Sequence, residues 1–143
     1  MDGQTHINIY SKGNTELGRQ LSNFYHSPIV TLDGVFESVE GYWYWLGCRH
    51  PNRNKLMLAY GYEAKKLGKE LGGKDWNNDP HFKMKIATII IQKLMQHPNI
   101  LQNFLSNQLP YRHYYVYGSK VVEPEEGKWI VDIFTFLQKL LQS

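Results

Sequence analysis

Asp79-Pro80-His81-Phe82-Lys83-Met84-Lys85-Ile86-Ala87-Thr88-Ile89-Ile90-Ile91-Gln92-Lys93-Leu94-Met95-Gln96 reads as one amphipathic helix. Asp79 suits the N-cap and Pro80 the first helical position, and no Gly or Pro interrupts the pattern before Gln96. At roughly 100° per residue, Ile86, Ala87, Ile90, Ile91 and Leu94 share one apolar arc, with Lys83 at its centre. Lys85 falls in the polar arc with Thr88, Gln92 and Gln96. An ammonium aimed into apolar surroundings finds a carboxylate or loses its proton readily, so Lys83 is a candidate nucleophile or Schiff-base former. The alternative is a frayed first turn from which Lys83 snorkels to water.

Outward from this helix, the flanking patterns are short. Pro98 to about Ser106 reads as a second helix with Ile100, Leu101, Phe104 and Leu105 inward. Tyr111 to Tyr117, Gly118-Ser119 and Lys120 to Val122 read as a hairpin, with Tyr111, His113, Tyr115 and Tyr117 on one face. A last helix begins near Lys128 and carries Trp129, Ile130, Ile133, Phe134, Leu137, Leu140 and Leu141 at helical spacing. Upstream, His6 to Tyr10 alternates like a strand and Ser11 to Gly18 reads as loop. Ile29 to Leu32, Asp33-Gly34 and Val35-Phe36 make a hairpin with a two-residue turn. Ser38 caps a helix whose inward face is Val39, Tyr42, Trp43 and Leu46. Helical material from Lys55 to Leu71, interrupted at Gly61, ends at Gly72-Gly73. Together these give a mostly helical α+β chain with small β-hairpins, a single domain over residues 1–143.

Composition narrows the function classes. The 143 residues have room for a proper core, and a formal net charge of +3 tolerates a nucleotide or nucleic-acid partner without the charge density of a DNA-coating protein. Aromatics make up 14% of the chain, a load that suits flat ligands that stack and equally an aromatic core. Cys48 stands alone, which excludes an internal disulfide and argues against a cysteine metal site. The histidines lack ligand spacing and no phosphate-binding glycine loop occurs, so neither metal nor redox cofactor is expected. With no apolar run of about 18 residues and no signal-like start, a soluble, cytoplasmic protein without membrane attachment is expected.

Three further features could carry chemistry. Glu40 lies on the flank of a helix holding Tyr42, Trp43, Tyr44 and Trp45; a carboxylate walled by aromatic rings would titrate near neutrality, whereas an ordinary Glu on an amphipathic helix would not. Asn23 could read a base edge or a ribose hydroxyl, or simply sit in a turn. Trp76, in its polar loop, could stack on a base or plug a core gap. The lysines Lys65, Lys66, Lys69 and Lys74 are interspersed with Glu63 and Glu70, which reads as a solvated helix face.

The ordered set Leu21-Ser22-Asn23-Phe24-Tyr25, Leu32-Asp33-Gly34 and Ser38-Val39-Glu40 resembles the opening signature of the NADAR (YbiA-like) superfamily. Its members read Ser-Asn-Phe-Tyr, then Asp-Gly, then Val-Glu just inside a helix. The likeness continues through Glu63 to Lys69, Asp75-Trp76, a lysine entering the next helix (here Lys83) and Gln96-His97-Pro98, spanning roughly residues 17 to 105. It implies the NADAR fold and an N-glycosidase that takes ADP-ribose from modified guanine in DNA, reversing toxin-type modification. The same resemblance covers a glycosidase acting on a small ribosylamino-pyrimidine phosphate of riboflavin synthesis. A non-catalytic module that binds ADP-ribose or nucleic acid is the reading from another class. The resemblance implies Glu40 and Lys83 as catalytic, with Lys83 forming an imine at the ribose C1, and Asn23, Phe24, Trp43 and Trp76 as ligand contacts. Two departures stand out. Gly41 replaces the usual His after Val-Glu, and the C-terminal Asp, Trp-Gly and Gly-Asn-Leu-Gly signature gives way to Tyr111-Arg112-His113-Tyr114-Tyr115-Val116-Tyr117-Gly118. His113 and Tyr115 become candidate ligand contacts there, and the compact form is compatible with a bacteriophage or mobile-element origin.

Overall fold

The structure, a computed structural model, describes residues 1–72 and 79–142. In chain order its elements are β1 (Ile7–Asn8), α1 (Glu16–Leu21), β2 (Ile29–Thr31), β3 (Gly34–Phe36), α2 (Val39–Gly47), a 3-10 helix at Arg53–Leu58, α3 (Gly61–Glu70), α4 (Phe82–Gln96), α5 (Pro98–Ser106), β4 (Tyr111–Arg112), β5 (Tyr115–Tyr117), β6 (Lys120–Val122) and α6 (Lys128–Gln142). This is an α+β fold with more helix than strand. The chain divides into two compact units, Asn23–His97 and the flanking segments Met1–Ser22 with Pro98–Ser143. None of the described helices is long and apolar enough to cross a membrane.

In the unit Asn23–His97, β2 and β3 pair antiparallel with Thr31 opposite Gly34. The two-residue turn is therefore Leu32-Asp33, one place earlier than the Asp33-Gly34 expected from sequence. Thr31 is the reason: its Oγ1 donates to the Gly34 carbonyl (2.8 Å) and accepts from the Asp33 N–H (3.0 Å). Gly34, at φ +128°, takes the backbone conformation that follows. α4 packs against β2 and α2, and Ile29, Phe36, Val39, Leu56, Ile86, Ile89 and Ile90 are buried in the resulting core.

The outer edge of β2 is closed by a side chain. The Gln96 amide accepts from the Val30 N–H (2.7 Å) and donates to the Val30 carbonyl (2.9 Å), standing in for one peptide unit of a third strand. Edge strands left open invite pairing with other chains. Gln96→Ala should cost about 1–2 kcal/mol, since it removes both hydrogen bonds and each has a modest net worth. Urea denaturation checks this, with an unchanged midpoint as the contrary result.

α4 begins at Phe82, later than the Asp79-Pro80 signal suggests. Asp79 instead closes the preceding turn: Oδ1 accepts from the His81 N–H (2.8 Å) and Oδ2 pairs with the Lys85 ammonium (2.7 Å). The buried face of α4 is Phe82, Ile86, Ile89, Ile90, Lys93 and Leu94. That arc is rotated about 60° from the expected one, since the triple isoleucine Ile89-Ile90-Ile91 offers two faces and Phe82 selects the one that leaves Ile91 43% exposed. Lys83, expected on the apolar face, is exposed on the first turn, and the lysine inside is Lys93.

In the other unit, β1 runs parallel to β4, with Ile7 opposite Tyr111. The single strand expected from Tyr111 to Tyr117 is split at His113-Tyr114, where the Asn8 side chain donates to the Tyr114 carbonyl and accepts from its N–H, each at 3.0 Å. Beyond the break, β5 and β6 form the hairpin expected from sequence. The segment read as loop before Gly18 contains the start of α1, capped by the Thr15 hydroxyl, which accepts from the Gly18 N–H. α5 and α6 start where their patterns indicate, burying Ile100 and Phe104 from one and Ile130, Phe134 and Leu137 from the other.

Candidate active site

The first turn of α2 organises the unit Asn23–His97 around a carboxylate. The Ser38 Oγ accepts from the Gly41 N–H (3.0 Å) and donates to the Ala59 carbonyl (2.8 Å), so the cap also fixes the chain leaving the 3-10 helix. The Glu40 N–H donates to the Asn23 carbonyl and the Gly61 N–H to the Phe24 carbonyl, each at 2.9 Å. Asn23-Phe24 is thereby clamped between the start of α2 and the start of α3.

Glu40 itself is only 9% exposed. Burial pushes its pKa up to about 7, with Lys65 and Lys69 on α3 pulling it partly back. Of the two sequence readings, the structure gives the enclosed carboxylate and not the solvated one.

Two glycines allow this enclosure. A Cβ on Gly41 would lie 2.3 Å from the Leu56 carbonyl oxygen, and one on Gly68 would lie 2.2 Å from the Tyr44 ring. The first approach lets the 3-10 helix lie on α2 beside Glu40. The second brings α3 against α2, which sets Lys65 and Lys69 near the carboxylate. Any side chain at position 41 would strike the Leu56 backbone. Gly41→Ala should destabilise by about 1–3 kcal/mol as overpacking against an unyielding carbonyl; a thermal melt matching the parent chain would contradict the close approach.

Other site residues fall as follows. Trp43, three residues from Glu40 on α2, is buried and meets Phe82 edge-to-face with ring centroids 4.8 Å apart. It is an apolar wall and presents no open stacking surface. Asn23 and Phe24 are half-buried. Trp76 lies outside the described residues. His113 and Tyr115 belong to the other unit, where His113 Nδ1 donates to the Ile9 carbonyl (2.6 Å) and its ring stands edge-on to Tyr115 at 5.1 Å. Burial lowers the His113 pKa, and the ring lines a cavity of about 300 Å³ with Tyr111, Arg112, Glu123 and Lys128.

Lys93 is a buried amine that sequence reasoning misses. It is 2% exposed on α4, its Nζ lies 5.5 Å from the centre of the Tyr25 ring, and burial lowers its pKa to about 7. The signal lies in the 4-3-4 spacing of Phe82, Ile86, Ile89 and Lys93, which an arc centred on Lys83 and passing through Ile91 leaves out. Tyr25 adjoins the clamped Asn23-Phe24 pair, so one short segment touches the helix that bears Glu40 and faces the amine of Lys93.

Glu40 and Lys93 are thus a carboxyl and an amine of this unit that both change charge close to neutral pH, and the described residues hold no cluster of His, Cys, Asp or Glu suited to a metal. No protein-family model, curated protein or solved structure matches the chain.

Proposed function

We propose that the chain is an N-glycosidase that removes ADP-ribose from modified guanine in nucleic acid, with DNA as its first substrate. The observation that carries this reading is Glu40, a buried carboxyl that is half protonated near pH 7 at the start of a helix. Such a group can give a proton to a departing base nitrogen and take one back from water, which is what cleavage of a glycosidic C–N bond requires. The resemblance of Ser22-Asn23-Phe24-Tyr25, Asp33-Gly34 and Val39-Glu40 to the NADAR signature supplies the substrate class.

The resemblance assigns the imine to Lys83, but the physical argument for a neutral amine passes to Lys93. In this scheme the Lys93 amine adds to C1 of the ribose as the C1–N bond to guanine breaks, and the base leaves with the Glu40 proton. The ammonium so formed gives one proton back to the Glu40 carboxylate, and the resulting ribosylamine opens to an imine as its remaining N–H proton passes to the ring oxygen. Water then hydrolyses the imine, releasing ADP-ribose and restoring the amine. In this reading Asn23, one of the two clamped residues, holds a ribose hydroxyl.

Side-by-side incubation with an ADP-ribosylated guanine oligonucleotide and a ribosylamino-pyrimidine phosphate tests the substrate class. Release of ADP-ribose from the oligonucleotide, with the small substrate consumed more slowly, is the expected result. The reverse preference selects the small-molecule glycosidase, and tight ADP-ribose binding with neither substrate consumed selects a binding module.

A further inference from the structure

The charges of α3 are sorted around its axis in a way the linear sequence conceals. At roughly 100° per residue, Tyr62, Lys65, Lys66 and Lys69 fall within about 100° of one another, while Glu63 and Glu70 fall together on one flank. Ala64 and Gly68 face the interior on the opposite side. Lys66, Lys69 and Tyr62 are exposed. The acids therefore flank Lys66, at i,i+3 and i,i+4 spacing, and lie away from Lys65 and Lys69.

Flat aromatic surface adjoins this face. Tyr60, which immediately precedes α3, stacks on His26 with ring centroids 4.0 Å apart and planes 9° from parallel. Glu37 pairs with His26 Nε2 at 3.0 Å and holds that ring in place. Tyr60, Tyr62 and Tyr25 are 48%, 66% and 36% exposed, an unusual outlay of tyrosine surface for one short region. The region is joined to the candidate active site at two points, through the Gly61-Phe24 hydrogen bond and through Lys65 and Lys69, whose charges act on Glu40.

We propose that Tyr60, Tyr62 and the Lys65, Lys66 and Lys69 face of α3 bind single-stranded nucleic acid, the strand's phosphates on the lysines and its bases on the tyrosines. A polyanion with exposed π-faces is the partner that matches both features: lysines neutralise phosphates without regard to sequence, and every base can stack on an aromatic ring. The surface deepens the glycosidase reading by making the substrate a polymer, yet it is tested without turnover, so failure of either claim is separately visible.

Fluorescence anisotropy with unmodified 20-mers of thymidine and of uridine, and with an abasic strand of equal length, provides the test. Tyr60→Ala with Tyr62→Ala should weaken binding of the base-bearing strands by about ten-fold or more and leave the abasic strand nearly unchanged. Replacing Lys65, Lys66 and Lys69 by Gln should weaken all strands and flatten the salt dependence by about 2, at about 0.7 for each phosphate no longer neutralised. Lys120→Gln and Lys139→Gln, in the other unit, serve as charge controls and should leave affinity within about two-fold. Circular dichroism of each variant confirms that it folds. Comparison of the thymidine and uridine strands decides between DNA and RNA. Equal affinity for abasic and base-bearing strands, or equal losses from the control lysines, would overturn the proposal in favour of diffuse charge attraction.

Discussion

Glu40→Gln should lower kcat by about 10²–10⁴-fold, the range over which a positioned acid-base group acts, while making the fold no less stable at neutral pH. The two effects separate because they have one cause. Folding carries the carboxyl from a pKa of 4.5 to about 7 by burial. Below about pH 4.5, folded and unfolded chains both hold the proton and Glu40 imposes no penalty. Between 4.5 and 7 the unfolded chain gives up its proton first, so stability falls as pH rises, and above about 7 the full penalty remains. Gln keeps the shape and removes the titration. The parent chain should therefore lose stability between pH 4.5 and 7 while the variant does not, as chemical denaturation across that window would show. Equal pH profiles for the two proteins would mean that Glu40 is solvated; near-parent turnover would remove it from the mechanism.

Lys93→Met is expected to abolish imine formation and to stabilise the protein by about 1–4 kcal/mol at pH 7, as replacement of a buried ionisable group by an apolar one of similar length often does. The sign follows from a pKa lowered from 10.5 to about 7. Above about pH 10.5 the amine is neutral in both states and costs nothing; as pH falls towards 7 the unfolded chain takes up a proton that the folded chain resists, so stability drops, and below about 7 the drop is complete. Glu40 thus shapes the acid limb of the stability profile and Lys93 the alkaline limb, leaving a minimum in their joint contribution near pH 7. Each variant should erase one limb alone.

In the proposed scheme the same pair sets the pH dependence of catalysis. The reaction needs Glu40 protonated and Lys93 neutral together, so kcat/KM should be narrow and bell-shaped with its maximum near pH 7. Borohydride reduction during turnover, followed by peptide mapping, locates the covalent step: an adduct on the peptide containing Lys93 is expected, and one on Lys83 would return the role to the position matched by resemblance.

Much of the architecture could be read from local signals. Ser38, Pro98 and the long apolar stripe of α6 each obey rules that operate within a few residues, and their elements form where those rules place them, while the hairpin around Asp33 forms with its turn one place earlier. Failures occur where a distant group decides. Asn8 splits the Tyr111-Tyr117 strand from more than a hundred residues away, and no pattern within the strand records it. Ile89-Ile90-Ile91 satisfies two helix faces, so the choice between them rests on tertiary packing that also takes in Phe82. That choice decides which lysine is enclosed. Glu40 was legible as a candidate from its aromatic neighbours, but its burial depends on the 3-10 helix lying against Gly41 and on α3 lying against α2 at Gly68. The sorting of α3's lysines from its acids follows from helical spacing, and burial of Ala64 and Gly68 on the opposite side leaves the charged residues on the solvated face expected from sequence.

Mass spectrometry of an ADP-ribosylated guanine oligonucleotide after incubation with the protein, and in parallel with Glu40→Gln, addresses the central claim most directly. Loss of the ADP-ribosyl mass with the parent protein, leaving intact guanine, and its retention with the folded variant is the expected result. Retention of the modification with the folded parent protein, or equal loss with both, would contradict an N-glycosidase that works through a buried Glu40.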